Sequence, residues 1–373
     1  MKTTTIWTAT ILASLLGLSA CSTTPTSTTP RYQLSSDASW SKLNTVPYKG
    51  KQDDIFFVQP DLGWYVNGGG KIYKTTDGGS NWQEQLSKPG TFFRTVGFVD
   101  AQHGYAGNIG TDYYPGVTDT TPLYETFDGG ANWQVAKGLE GISIKGLCAI
   151  DVLHDKSGGA TSKTIIHAGG RVGGPAALLR SVDGGASWKN IDMTPYTGMI
   201  LDVKFFDANT GFVFGASSND TEKSHARIIM TKDGGQTWKT VYESIRPFEI
   251  TWKASFPTRD TGYVTIQSYN PDPATSQRYV AKTEDGGQTW REVPMVNDLK
   301  VREFGIGFID ANTGWVGTVD GAYQTTDGGQ NWKHIPMGRA VNKIRLLPTE
   351  KGFVGYAIGV DVFKLTQENA RLQ

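Results

Sequence analysis

Three sets of side chains in this 373-residue chain could do chemistry: carboxylates, histidines, and a scatter of basic and aromatic residues. Two carboxylates about 5 to 9.5 Å apart across a sugar would make a glycoside hydrolase. Asp112, Asp119, Glu222, Glu249 and Glu303 lie near the expected loop face, and the sequence sets no two of them at that distance. The five histidines, His103, His154, His167, His225 and His334, lack the close spacing of a metal-ligand set. No glycine-rich stretch leads into a helix to cradle phosphate, and no cofactor is expected. The third set is Arg94, Lys145, Arg171, Arg246, Trp252, Arg302 and Arg339, with Tyr113, Tyr114 and Tyr269. Cations and aromatics gathered on one surface would bind a macromolecule without transforming it.

The element that must position these residues is a repeat. The phrase Asp-Gly-Gly-x-x-Trp occurs six times: Asp77 to Trp82, Asp128 to Trp133, Asp183 to Trp188, Asp233 to Trp238, Asp285 to Trp290 and Asp327 to Trp332. Successive aspartates are 42 to 55 residues apart, the period of a supersecondary unit that buries its apolar face against its neighbours. In each copy the paired glycines permit a tight turn, the Asp accepts hydrogen bonds from turn amides, and the Trp covers the hairpin. These Asp and Trp residues are therefore structural.

Each unit reads as four antiparallel strands, with short apolar or alternating runs separated by turn residues. Val96-Gly97-Phe98-Val99 is a first strand, Gly211-Phe212 opens a second, Gly321 to Thr326 is a third running into its box, and a fourth follows the Trp. Four strands per unit is a propeller blade, and no stretch has a helical period. After the sixth box come three more strands, Val341 to Leu347, Gly352 to Tyr356 and Val362 to Leu365, without a fourth. Asp37 to Lys42 resembles the tail of a box. The expectation is an all-β, seven-bladed β-propeller over residues 35–373, its last blade closed by the N-terminal strand.

Residues 1–20 read as a lipoprotein signal peptide: Lys2, then an apolar, charge-free stretch ending in Leu18-Ser19-Ala20-Cys21. Cys21 is the expected lipidation site, and residues 21–34 form a flexible Ser/Thr/Pro tether. Ser22 after the Cys fits sorting to the periplasmic face of the outer membrane. The remaining Cys148 lies in the apolar run Gly146 to Ile150 and reads as a core residue. With 36 basic and 36 acidic residues and no basic run, the chain has no nucleic-acid footprint.

The boxes, their place between third and fourth strands, and the Asp-x-x-x-Gly-aromatic phrase before each second strand resemble the photosystem II assembly and stability factor family, over about residues 35 to 366. The resemblance implies a non-enzymatic protein that binds another protein during assembly of a membrane complex, with an arginine patch on one face. Asp boxes also occur in sialidases and xyloglucan-degrading glycosidases, so the alternative is an Asp-box glycoside hydrolase or glycan-binding propeller. The sialidase phrase is present only as the fragment Ile245-Arg246-Pro247, and xyloglucan-degrading relatives work between two propellers where this chain holds one.

On the propeller face opposite the boxes, long unequal loops are expected at Asn108 to Pro122 with Tyr113 and Tyr114, Gly169 to Ala176 with Arg171, Ser217 to Ala226, and Gln267 to Arg278 with Tyr269. Arg94, Lys145, Arg246, Trp252, Arg302 and Arg339 lie near the starts of first strands, where they would ring the channel mouth. A protein partner is the expected ligand.

Overall fold

The computed structural model describes residues 1, 31–36, 38–155, 162–368 and 370–372. The lipobox, Cys21, Ser22, most of the tether and Asp37 lie outside the described residues. Within them the chain is all-β, and its one helical element is a single turn at Pro273–Thr275.

Seven four-stranded antiparallel sheets follow one another along the chain. The first is Gln52–Phe57, Gly63–Asn67, Lys71–Thr75 and Gln83–Ser87, and the second is Phe93–Phe98, Gly104–Asn108, Leu123–Thr126 and Gln134–Val135. The third to sixth begin with Ala149–Asp155, Met199–Phe205, Glu249–Ser255 and Glu303–Phe308. The seventh joins Lys343–Pro348, Phe353–Ile358 and Val362–Gln367 to Ser41–Lys42, with Ser41 opposite Lys364. First strands of successive sheets touch in chain order, and Lys343–Pro348 also touches Gln52–Phe57. Arg31–Tyr32 and Arg371–Leu372 form a separate two-stranded clip.

Aromatic plates hold neighbouring sheets together. A second-strand ring lies flat on a first-strand Phe of the next sheet: Trp64 on Phe98 at 3.5 Å, His167 on Phe205 at 3.5 Å, Tyr263 on Phe308 at 3.6 Å and Tyr356 on Phe57 at 3.6 Å. His167 is thus a buried plate, and its burial pushes the imidazole pKa well below the usual range. The box tryptophans meet Phe57, Phe98, Tyr105, Phe205, Phe256 and Phe308 edge-on, with centroids 5.7 to 6.3 Å apart. Trp40, beside the N-terminal strand, meets Trp315 in the same way at 5.6 Å. Each such plate contributes about 1.5–3 kcal/mol by burial and adds directional packing. The glycine that opens a second strand is required by this packing, since a Cβ on Gly104 would lie 2.4 Å from the Phe98 ring.

The boxes fold as local hydrogen-bond cages. Thr283 donates to Asp285 Oδ1 at 2.9 Å and accepts from the Gly287 amide at 2.9 Å, while Asp285 also binds the Thr289 amide and hydroxyl. These donors hold the Asp285 carboxyl down at about 2. In five copies a box glycine amide reaches the turn between first and second strands of its own sheet, as Gly328 reaches Asn312, and in the third sheet Gly184 reaches Thr164 near the start of the second strand. Both turn types therefore share one face, leaving the second-to-third-strand loops on the other.

The inner strands are stitched by a further device. A first-strand side chain accepts an amide from the next first strand: Asp54 from Val96, Asp151 from Phe205, Asp202 from Ala254 and Ser255 from Phe308, at 2.8 to 3.1 Å.

Candidate functional site

One position per sheet lines the channel below the loop-rich face. Aligned on the residue near the end of each first strand, it holds Asp53, Arg94, Cys148, Leu201, Trp252, Phe304 and Asn342. Trp252 donates its indole N–H to Asn342 Oδ1 at 3.0 Å and meets Phe304 edge-on at 5.6 Å. Arg94, 3 % exposed, pairs with buried Asp53 and lies 5.1 Å over the Trp252 ring. Lys51 completes the group: its amine is 2.9 Å from Asn342 Oδ1, 3.4 Å from Asp53 and 5.5 Å over Trp252. Burial, reinforced by Arg94, lowers the Lys51 pKa to about 7 despite Asp53 beside it.

Aromatics rise from this floor to the surface. Tyr114 stacks on Phe92 at 4.6 Å and carries Tyr113 edge-on at 4.7 Å. Arg302 lies 5.1 Å over Tyr269 and 6.0 Å over Phe304. Tyr113 and Tyr269 are each 38 % exposed, and Arg94 acts electrostatically on both hydroxyls, so the two stand over one floor. Burial raises the Tyr114 hydroxyl to about 12. The result is an aromatic rim over a cationic base, suited to an apolar or acidic segment.

The structure therefore brings together Arg94, Trp252, Arg302, Tyr113, Tyr114 and Tyr269. Arg94 and Trp252 were expected at the mouth, but they form its buried floor. Arg171 is also buried, bonding the Gly174, Ile109 and Thr111 carbonyls beneath Tyr113. Lys145 remains exposed, 3.3 Å from Asp112. Two residues do not join the mouth. Arg246 is clasped by Glu249, at the start of the fifth sheet's first strand, and by Glu292 on its fourth, and lies 4.4 Å over Tyr279 on its third. Arg339 ends the fourth strand of the sixth sheet, opposite Asp320. Lys51, Asp53, Phe92, Phe304 and Asn342 are site residues that sequence reasoning missed.

The candidate carboxylates are dispersed among separate partners. Asp119 accepts from Thr91, Tyr124 and the Thr121 amide. Glu249 is held by Arg246, while Glu222 is exposed. Glu303 is fully buried, and desolvation raises its pKa well above the carboxylate range. Among the described residues no group of three or more His, Cys, Asp or Glu is arranged to hold a metal.

Residues 193–345 match the family model described as photosynthesis system II assembly factor YCF48. No curated protein matches the chain. Among solved structures, YCF48 bound to a D1 peptide is 15 % identical, covering 91 % of this chain and 98 % of that one at a TM-score of 0.61. YCF48 from Cyanidioschyzon merolae is 17 % identical, with 88 % and 99 % covered and a TM-score of 0.63. The GH74 xyloglucanase from Xanthomonas campestris is 14 % identical over 89 % of this chain and 54 % of its own, with a TM-score of 0.62. At these identities the structural likeness is one of fold. Joined to the family match over residues 193–345, it makes the chain similar to YCF48-like, Asp-box (BNR-type) β-propellers.

Proposed function

We propose that this chain is a non-enzymatic, seven-bladed scaffold that holds a segment of another protein at the Tyr113–Tyr269 mouth during assembly of a membrane complex. The observation that carries the reading is the pair of exposed tyrosines over the Arg94, Lys51 and Trp252 floor. Exposed aromatic anchors beside cations are the side chains that dominate protein recognition. One YCF48 structure contains a D1 peptide, so a protein of this fold takes a peptide ligand. The glycoside-hydrolase alternative has less support, because Asp119 and Glu249 are engaged by protein donors and Glu303 has no exposed surface.

Ring closure is part of the proposal. It is supported by the contact of the seventh sheet with the first and by Ser41–Lys42 as fourth strand of the seventh. Export and lipidation at Cys21 follow from the lipobox alone. The Tyr32 amide bonds Asp310 at 2.7 Å, in a turn on the Asp-box face. A tether leaving there reaches at most about 40 Å to Cys21. Anchoring thus favours an orientation with the boxes toward the membrane and the mouth turned away.

Crosslinking in native membranes tests the binding role. Tyr113→Ala, Tyr269→Ala and Arg302→Ala should each reduce capture of one defined partner segment while leaving the fold intact. Undiminished capture by all three, or turnover of a model glycoside that depends on one carboxylate, would refute it. Mass spectrometry of the mature N-terminus tests the anchor: a diacylated Cys21 is expected, and an unmodified terminus elsewhere contradicts it.

A further inference from the structure

Below the Trp252 layer, toward the Asp-box face, the channel contains a cavity of about 300 Å³. Three cations line it, Lys204, Lys343 and Arg345, against two carboxylates, Asp151 and Asp202. Their outer partners Lys253 and Asp54 add one charge of each sign, so positive charge stays in excess within a chain of zero net charge.

Most of this charge is loosely matched. Lys204 meets Asp151 at 3.0 Å, but Asp202 is shared by Lys343 at 3.4 Å and Lys253 at 3.7 Å. Arg345 stands 3.6 Å from Asp54, and its buried Nη2 makes no hydrogen bond. Charge-assisted hydrogen bonds normally close to about 2.7–2.9 Å, so these cations retain donors for another acceptor. Burial, followed by the nearby Arg345, lowers the Lys343 pKa to about 8 against the pull of Asp202. Ser255 adds a hydroxyl whose oxygen accepts from Phe308, leaving its proton to donate.

We propose that this cavity is a binding site for a small oxyanion of the phosphate class, received by the Arg345 guanidinium with the Lys204 and Lys343 ammonium groups and the Ser255 hydroxyl. The ligand supplies the negative charge that Asp151 and Asp202 do not, and it enters from the face opposite the tyrosine mouth. The site is independent of what the mouth binds.

The test is titration of the full folded domain with inorganic phosphate, then sulfate, in chloride buffer at constant ionic strength. Calorimetry and the thermal midpoint are read together. One saturable site and a rising midpoint are expected. Arg345→Met and Lys204→Met should each weaken binding by about tenfold or more, the effect of losing one charge-assisted contact. Lys189→Met, on an exposed outer strand, should not. Lys204 has a 39 % exposed side chain, so its variant tests the site even where Arg345→Met fails to fold. Glycerol phosphate distinguishes sources: equal affinity supports the site as one for a lipid-headgroup phosphate, and lost affinity supports it as one for the free anion. Absence of saturation by either inorganic anion, or unchanged affinity in a folded Lys204→Met, overturns the proposal.

Discussion

Trp252 in the fifth sheet and Asn342 in the seventh bond across the channel at 3.0 Å, although 90 residues separate them. The same Asn342 oxygen accepts from Lys51, and its amide donates to the Asp53 carbonyl. One buried side chain thus couples three channel walls.

Replacing Asn342 by Ala strands the indole N–H and takes from the Lys51 amine its 2.9 Å acceptor, leaving it only Asp53 at 3.4 Å. The expected cost is about 2 to 3 kcal/mol, since an unsatisfied buried partner loses its full desolvation energy. Denaturant unfolding checks this, and a midpoint equal to wild type would show that water replaces Asn342 without penalty.

Trp40 caps the seventh sheet against Trp315 as the box tryptophans cap theirs. Trp40→Ala should destabilise the domain by about 3 to 5 kcal/mol. Deleting residues 22–30 should leave stability unchanged. Equal midpoints for the two variants would contradict closure by the N-terminal strand.

The channel lysines give stability a distinctive pH dependence. Lys51 and Lys343 are lowered to about 7 and about 8 in the folded state, against about 10.4 in an unfolded chain. Between these values the unfolded chain binds more protons, so stability rises with pH from about 7 toward 10. Arg94 and Lys253 favour loss of the Lys51 proton, and Asp53 opposes it. Denaturation midpoints at pH 7 and pH 9 should therefore increase in that order, and a decrease would contradict the assigned environments. The positive charge of the mouth should fall over the same range, weakening capture of an acidic segment.

The sequence made the repeat legible because each sheet needs the same cage and the same lid. Asp285, its glycines and Trp290 stood out, and Thr283 could have been found as well, since Ser or Thr stands two residues before the Asp in every box. The N-terminal contribution to the seventh sheet was readable from Trp40 because its lid role repeats. The mouth was only partly legible. Arg94, Trp252 and Arg302 were found by proximity to strand starts, but proximity does not tell which way a side chain points, and Arg246 turned to Glu249 and Glu292. Asn342 and Lys51 carry no motif. Aligning the repeats on Phe57, Phe98, Phe205, Phe256, Phe308 and Leu346 exposes the channel layer, because the residue four positions earlier then recurs as Asp53, Arg94, Leu201, Trp252, Phe304 and Asn342. The pairings that bury Arg94 and Arg171 depend on distant loops and have no local signature.

The claim that the mouth binds a protein segment is tested most directly by placing a photoreactive side chain at Tyr113 and, separately, at exposed Gln288 on the Asp-box face. Irradiation in native membranes, followed by peptide mapping, reads out which face carries the partner. One recurring partner segment should be joined at position 113, lost when Tyr269 and Arg302 are replaced by Ala, with no such adduct at position 288. A recurring adduct at 288 with none at 113 would contradict the claim.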